Sequence, residues 1–280
     1  MVKETLKNIL IPIDFSTNTE TVLGKIIALI EPCNSVIHLL HVVKPLPKGD
    51  QKTLFVFHGN VTYQDEEAQR IKLYELKQNL FKLLPSLKVN THVVRGKNIQ
   101  QHIIEKSNEL NAELIVIIKE RRRKLFALAH SVNATLIVKE TNAAVLIANP
   151  HAIPNKIKSI VLPVNASVPE RNLELLAALA GKQKPVVHLV TISDKNETPD
   201  KRNNFINTYR TLSDFLHYPV EYKVLSSHLF SKVLLGYEKN IMADLIFVNP
   251  FEEKKISSIN RTDISDKISP DSKLCVLVAE

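Results

Sequence analysis

Residues 8–16 read NILIPIDFS, and this stretch decides the fold. Ile9, Leu10, Ile11 and Ile13 form a near-continuous apolar run enriched in β-branched side chains. That is the pattern of a parallel strand covered on both faces rather than one facing water. Pro12 cannot donate a ladder hydrogen bond, so the strand is expected to turn irregular toward its carboxyl end. Asp14 and Ser16 then supply side-chain acceptors just before a helical pattern, where N-caps belong. Ligands of open α/β sheets sit outside the carboxyl ends of the strands, which makes Asp14 the first place to look for a small-molecule site.

The stretch occurs twice. Residues 158–167, KSIVLPVNAS, repeat the apolar run, the proline and the turn, with Asn165 in place of Asp14. Downstream, SVIHLLHVV (35–43) matches PVVHLVTIS (185–193), and NAELIVIIK (111–119) matches MADLIFVNP (242–250). NAAVLIANP (142–150) matches KLCVLVAE (273–280). Four paired segments in one order mark a tandem duplication, and a long internal period of this kind decides architecture first. The length of 280 residues agrees, since roughly 150 residues per domain gives two. The domains expected are 1–152 and 153–280, with HAIPN (151–155) as the linker.

Between these strands the periodicity predicts helices over 19–30, 64–84, 99–110 and 131–138 in the first half. In the second it predicts them near 169–180, 203–215 and 229–240. In the helix over 64–84, spacing points Ile71, Leu73, Leu76, Leu80, Leu83 and Leu84 toward the core. Residues 87–94 and 220–225 read as third strands, and residues 53–62 as an ambiguous apolar patch. Strands alternating with helices argue for parallel βαβ units with right-handed crossovers, hence two five-stranded α/β domains.

Composition bounds the function. A hydrophobic fraction of 44% suffices for ordinary cores. No apolar run approaches the ~20 residues of a bilayer span, and the N-terminus lacks a signal region, so a cytoplasmic protein is expected. Cys33 and Cys275 are far apart and lack metal-ligand spacing, and they read as buried free thiols. The net charge of +8 is local: residues 1–152 hold 20 Lys/Arg against 14 Asp/Glu, and KERRRK (119–124) alone has five cations and one anion.

The layout resembles the universal stress protein family in its tandem two-domain form. The residues carrying the resemblance are NILIPIDFS, HLLHVV, Gly96 with its following amphipathic helix, NAELIVII and AAVLIANP. The resemblance covers nearly the whole chain as an order of elements. It implies a Rossmann-like, flavodoxin-like (HUP-type) fold and a role in stress response. It also implies that fifth strands pair across a two-fold axis, here joining 144–148 to 275–279 as an intramolecular pseudo-dimer, and it leaves a further homodimer open. Some members bind ATP through a loop after the fourth strand: glycine, two residues, glycine, nine residues, glycine, then serine or threonine. Only glycine lets backbone N–H groups crowd round phosphate oxygens. Here Ile118 and Arg121 stand at the first two glycines and His130 or Ser131 at the third, with Ser131 able to keep the hydroxyl. The six glycines lie at 24, 49, 59, 96, 181 and 236, so none falls in 97–180 or in 248–271. A glycine-built phosphate cradle is therefore excluded in both halves; no cofactor is expected, and ATP, held by other means, is the one left open.

The candidate ligand site comprises Asp14, Phe15, Ser16, Val43, Lys119, Arg121, Arg122, Arg123 and Ser131. In nucleotide-binding relatives the acidic residue ending the first strand lies near the nucleoside; in ordinary structure Asp14 caps a helix or turn. Three readings of Lys119, Arg121, Arg122, Arg123 and Lys124 stand side by side. They grip an anion in place of the lost cradle, they meet an acidic protein or RNA, or they form a solvated loop and first helical turn. Cations at a helix start oppose its dipole by roughly 0.3–1 kcal/mol each, an odd choice unless something anionic docks there, though charge runs are usually solvated. His38, His41 and His188 fall in apolar strands and read as packing residues rather than metal ligands. No triad, paired catalytic carboxylates or metal set is present. The expected function is non-enzymatic binding or regulation, with slow ATP hydrolysis the one reaction left open.

Overall fold

Apolar runs form the strands and amphipathic runs the helices in both halves. The structure is a computed structural model. It describes residues 6–15, 19–30, 35–44, 66–118, 132–150, 153–164, 168, 170–180, 183–193, 199–216, 219–226, 230–249 and 274–279. The first half contains β1 (Asn8–Ile13), α1 (Thr19–Ile30), β2 (Val36–Val43), α2 (Glu66–Leu83), β3 (Lys88–Arg95), α3 (Ile99–Leu110), β4 (Leu114–Ile118), α4 (Ala134–Glu140) and β5 (Ala144–Ala148). The second contains β6 (Ser159–Pro163), α5 (Glu170–Ala180), β7 (Val186–Ser193), α6 (Pro199–Leu216), β8 (Val220–Ser226), α7 (Phe230–Asn240), β9 (Leu245–Val248) and β10 (Cys275–Val278).

The two expected five-stranded sheets are one. Ten strands run in the order β3-β2-β1-β4-β5-β10-β9-β6-β7-β8. Strands within each half are parallel. The halves join where β5 and β10 pair antiparallel, with Val145 opposite Val278, Leu146 opposite Leu277 and Ile147 opposite Val276. This is the strand pairing that the resemblance implies.

Alternate residues of each strand go to opposite faces, as the pleat requires. Ile9, Ile11, Leu39, Ile160, Leu162 and Leu189 pack beneath α1, α2, α5 and α6. Leu10, Leu40, Ile115, Val161, Val190 and Ile246 pack beneath α3, α4 and α7. Each core layer crosses the seam between the halves.

The duplication is visible bond by bond. The Lys7 carbonyl accepts from Val36 N and that of Lys158 from Val186 N, both at 2.8 Å. The Asn8 carbonyl accepts from Glu113 N and that of Ser159 from Asp244 N, both at 3.0 Å. Glu113 Oε2 takes the Lys7 N–H at 2.5 Å, and Asp244 Oδ2 takes that of Lys158 at 2.7 Å. An acidic side chain thus ties down the entry to β1 and β6 alike.

Some expectations need correction. Ile71 and Leu83 of α2 face solvent, at 51% and 60% exposure. Only Leu73, Leu76 and Leu80 form the buried stripe; Ile71 lies off that stripe, and Leu83 is the last helical residue, beyond its final buried position. The helix expected over 131–138 starts at Ala134, because Asn133 Oδ1 accepts from Leu136 N at 2.9 Å and caps it. Cys275 is a buried free thiol whose pKa burial pushes up to about 12, with Asp244 adding to the rise. Cys33, the patch over 53–62 and residues 151–152 of the linker lie outside the described residues. Among the described residues, no helix is long and apolar enough to cross a membrane.

Candidate functional site

In each half the chain reverses direction across the sheet between its first and fourth strands, β1 and β4 or β6 and β9. Crevices at such switch points, outside the carboxyl ends of the strands, hold ligands in open α/β folds. The proline explains where the crevice opens. Because Asn8 gives its carbonyl to Glu113 of the β4 entry, the alternate residues Leu10 and Pro12 also face β4. Pro12 has no N–H to give, and the β1–β4 ladder stops at Leu10 opposite Ile115. On its other side β1 stays paired with β2 as far as Ile13. Pro163 repeats this in the second half, where the β6–β9 ladder stops at Val161 opposite Ile246. The irregularity expected from Pro12 is thus one-sided: it parts β1 from β4 and leaves β1 on β2.

Asp14 and Phe15 stand at the lip of this crevice, both half-buried. Phe15 has a φ of 53°, a left-handed conformation costing an aromatic residue on the order of 1–2 kcal/mol. It is held there by packing against the core and by His41, whose ring centroid lies 4.7 Å away. His41 is buried, and its Nδ1 lies 2.8 Å from the Ile13 carbonyl oxygen. A carbonyl only accepts, so Nδ1 carries the proton and Nε2 holds a lone pair. Nε2 is buried and has no hydrogen-bond partner among the described residues. Burial pushes the His41 pKa down; the Ile13 carbonyl and the Asp14 carboxylate pull it up, and Lys72 adds to the lowering. The lip therefore offers a carboxylate, and just beneath it a neutral imidazole with an unused acceptor.

Val43 closes β2 with a fully buried side chain, and its carbonyl accepts from Gly96 N at 3.1 Å. A Cβ at Gly96 would lie 1.8 Å from His102 Nε2, so a larger residue there would have to move the end of that side chain. Of the candidate residues, the structure brings Asp14 and Phe15 together and sets Val43 two residues beyond His41 on β2. Ser16, Lys119, Arg121, Arg122, Arg123 and Ser131 lie outside the described residues, as does Asn165 of the second half. Sequence alone gives His41 only a packing role; its position two residues before the end of the apolar stretch 35–43 is the one signal there, and its pairing with Ile13 is visible only in the structure.

The other strand histidines make directed contacts. Asn8 Nδ2 donates to the Leu110 carbonyl at 2.8 Å, so its Oδ1 accepts from His38 Nε2 at 3.3 Å. His38 Nδ1 then accepts from His92 Nε2 at 3.0 Å. In the second half His188 Nδ1 meets the Tyr237 hydroxyl at 3.2 Å. Among the described residues no group of three or more His, Cys, Asp or Glu side chains could hold a metal ion. A separate open cleft of about 620 Å³ lies at the seam, lined by Ser107, Asn108, Asn111, Asn142, Arg171 and Glu174 among others. Arg171 there donates to the Asn142 carbonyl, linking α5 to the β5 entry.

The model of the universal stress protein family matches residues 5–148. A universal stress protein from Archaeoglobus fulgidus DSM 4304 superposes with a TM-score of 0.60 at 13% identity, covering 99% of this chain and 97% of its own. A functionally unknown protein from Pseudomonas aeruginosa PAO1 gives 0.64 at 13% identity, covering 99% and 93%. The cytoplasmic domain of a prokaryotic cation chloride cotransporter gives 0.55 at 12% identity, covering 98% and 95%. At these identities the likeness is one of fold. No curated protein sequence matches the chain.

Proposed function

This chain belongs to the universal stress protein family, and from that premise we propose that it is a non-enzymatic binding protein of the stress response whose phosphate loops are degenerate. Residues 1–152 and 153–280 are the two repeats of this reading, paired through β5 and β10 in the manner of a dimer. The ligand site lies in the first half, at the β1–β4 crevice. Asp14 supplies a carboxylate there and His41 Nε2 a buried acceptor, which suits a small ligand rich in N–H or O–H donors. The second half is the weaker site, because Asn165 brings no charge.

One observation carries the reading: no glycine occurs in residues 97–180 or 248–271. The segment after the fourth strand of either half therefore has no position free to bring bare backbone N–H groups round a phosphate. Isothermal titration of ATP, ADP and AMP with Mg²⁺ into the full chain at moderate salt tests it. No heat at high micromolar protein is the expected result, and one site per chain with micromolar affinity would overturn it.

A second reading has its own support, because five cations in residues 119–124 follow directly on β4, the strand that borders the crevice. In that reading Asp14 holds a nucleoside and Arg121, Arg122 and Arg123 take over the phosphates. Asp14→Ala would then abolish ATP affinity. Strongly salt-dependent binding of an acidic partner that survives Asp14→Ala would instead assign the run to protein contact.

A further inference from the structure

With β5 and β10 consumed in joining the halves, the sheet formed by the described residues ends at two edges, β3 and β8. Open edges offer unpaired N–H and C=O groups, and proteins ordinarily cover or blunt them. β3 is partly covered, since Thr91, His92, Val93 and Val94 are all half-buried. β8 is not: Glu221, Tyr222, Lys223 and Val224 are exposed in succession, Tyr222 at 63% and Val224 at 43%.

The direction of its free groups follows from one bond. Val187 N donates to the Pro219 carbonyl at 2.9 Å, so Pro219, Glu221, Lys223 and Leu225 turn their backbone groups inward to β7. Val220, Tyr222 and Val224 turn theirs outward, to the open edge. The side chains divide the same way. Tyr222 lies on the α6 face, its ring 6.2 Å from that of Phe205 and 5.4 Å from that of Tyr209. Glu221 lies on the opposite face, its Oε2 3.4 Å from His188 Nδ1, and Lys223 shares that face.

We propose that two copies of this chain pair antiparallel through β8, on a two-fold axis at Tyr222. In that register Tyr222 meets Tyr222 of the second copy, and Val220 meets Val224, as hydrogen-bonded pairs formed by the outward-turned backbone groups. Glu221 then stands opposite Lys223 of the second copy, and Lys223 opposite its Glu221. Both are non-hydrogen-bonded pairs, the kind with side chains closest together. A lone lysine blunts an edge; glutamate and lysine placed symmetrically about the axis make the edge complementary to itself in one register and fix it. The α6 face adds apolar surface, the paired Tyr222 rings and Ile206, which is 38% exposed three residues before Tyr209. β3 lacks this character. The corresponding self-pairing about Thr91 sets Asn90 against His92, with no opposite charges to select it. The result is a closed dimer with a twenty-stranded continuous sheet, in which the free edges are the two β3 strands. The assignment is independent of what the β1–β4 crevice binds.

The test is sedimentation velocity of the full chain over rising concentration, with charge exchanges at positions 221 and 223. The wild type is expected to dimerise. Glu221→Lys or Lys223→Glu turns both cross-strand pairs from attraction to repulsion and should weaken dimerisation about tenfold or more. The doubly exchanged protein, Glu221→Lys with Lys223→Glu, restores opposite charges and should recover the dimer. An equimolar mixture of the two single variants should form heterodimers, since every pair is then opposite in sign; it also shows that both variants are folded. A wild type monomeric at every concentration overturns the proposal. So does a dimer that both single exchanges leave intact, or one that neither the double exchange nor mixing restores.

Discussion

His38, His41, His92 and His188 are four imidazoles held in or against the sheet by specific contacts. Burial pushes all four below their ordinary pKa of 6.5. For His38 the neighbouring His92 and Lys106 add to the lowering, and for His92 Lys106 does so while Glu109 opposes. The chain from His92 through His38 to Asn8 works only while His38 Nδ1 is bare, so protonation there sets two N–H groups against each other. The sign of the linkage follows. As pH falls below 6.5 the unfolded histidines take up protons that the folded ones refuse, so stability present above that value is lost toward the lowered folded pKa values. The urea midpoint is expected to be lower at about pH 5 than at about pH 7.5, and the drop should shrink in His92→Gln. An unchanged midpoint across this range would contradict the neutral His38–His92 pair. The residue types were legible from their apolar strands. The partners were not, because His92 and Asn8 are 54 and 30 residues from His38.

At the scale of elements, the repeat extends to how helices end. Asn111 and Met242 follow α3 and α7 with φ of 48° and 51°. Their amides bond the carbonyls of Asn108 and Lys239, and the next amides, of Ala112 and Ala243, bond those of Ser107 and Glu238. Asparagine tolerates the left-handed conformation; methionine does not, and Met242 is 83% exposed, with no packing to offset the strain. Met242→Gly is expected to stabilise the chain by about 1 kcal/mol, raising Tm by about 2–4 °C, whereas Asn111→Gly should gain less. Thermal scans of the two variants decide this. Equal gains would mean that the methionine is not strained. The pairing of NAEL with MADL exposed this correspondence in the sequence. Helix limits were less legible: Asn133 starts α4 three residues later than hydrophobic spacing suggests, because a cap is a matter of one side-chain bond.

In the whole molecule, both core layers cross the seam, and Leu146 and Leu277 face each other at its centre, exposed by 1% and 0%. Neither half can open without baring apolar surface of the other. The chain is therefore expected to unfold in one calorimetric transition, with calorimetric and van't Hoff enthalpies equal. Two resolved transitions would show the halves to be independent. Sequence alone determined the order of elements, the duplication, the parallel strands and the absence of a glycine cradle. These rest on local periodicity and on residue type, which neighbours along the chain suffice to specify. Tertiary structure alone decided that Pro12 parts β1 from β4 but not from β2, and that His41 keeps a bare nitrogen beneath Asp14. It also decided that β8 is the more exposed of the two sheet edges. Each depends on which distant strand a backbone group or side chain meets, and that meeting is settled only when the chain packs.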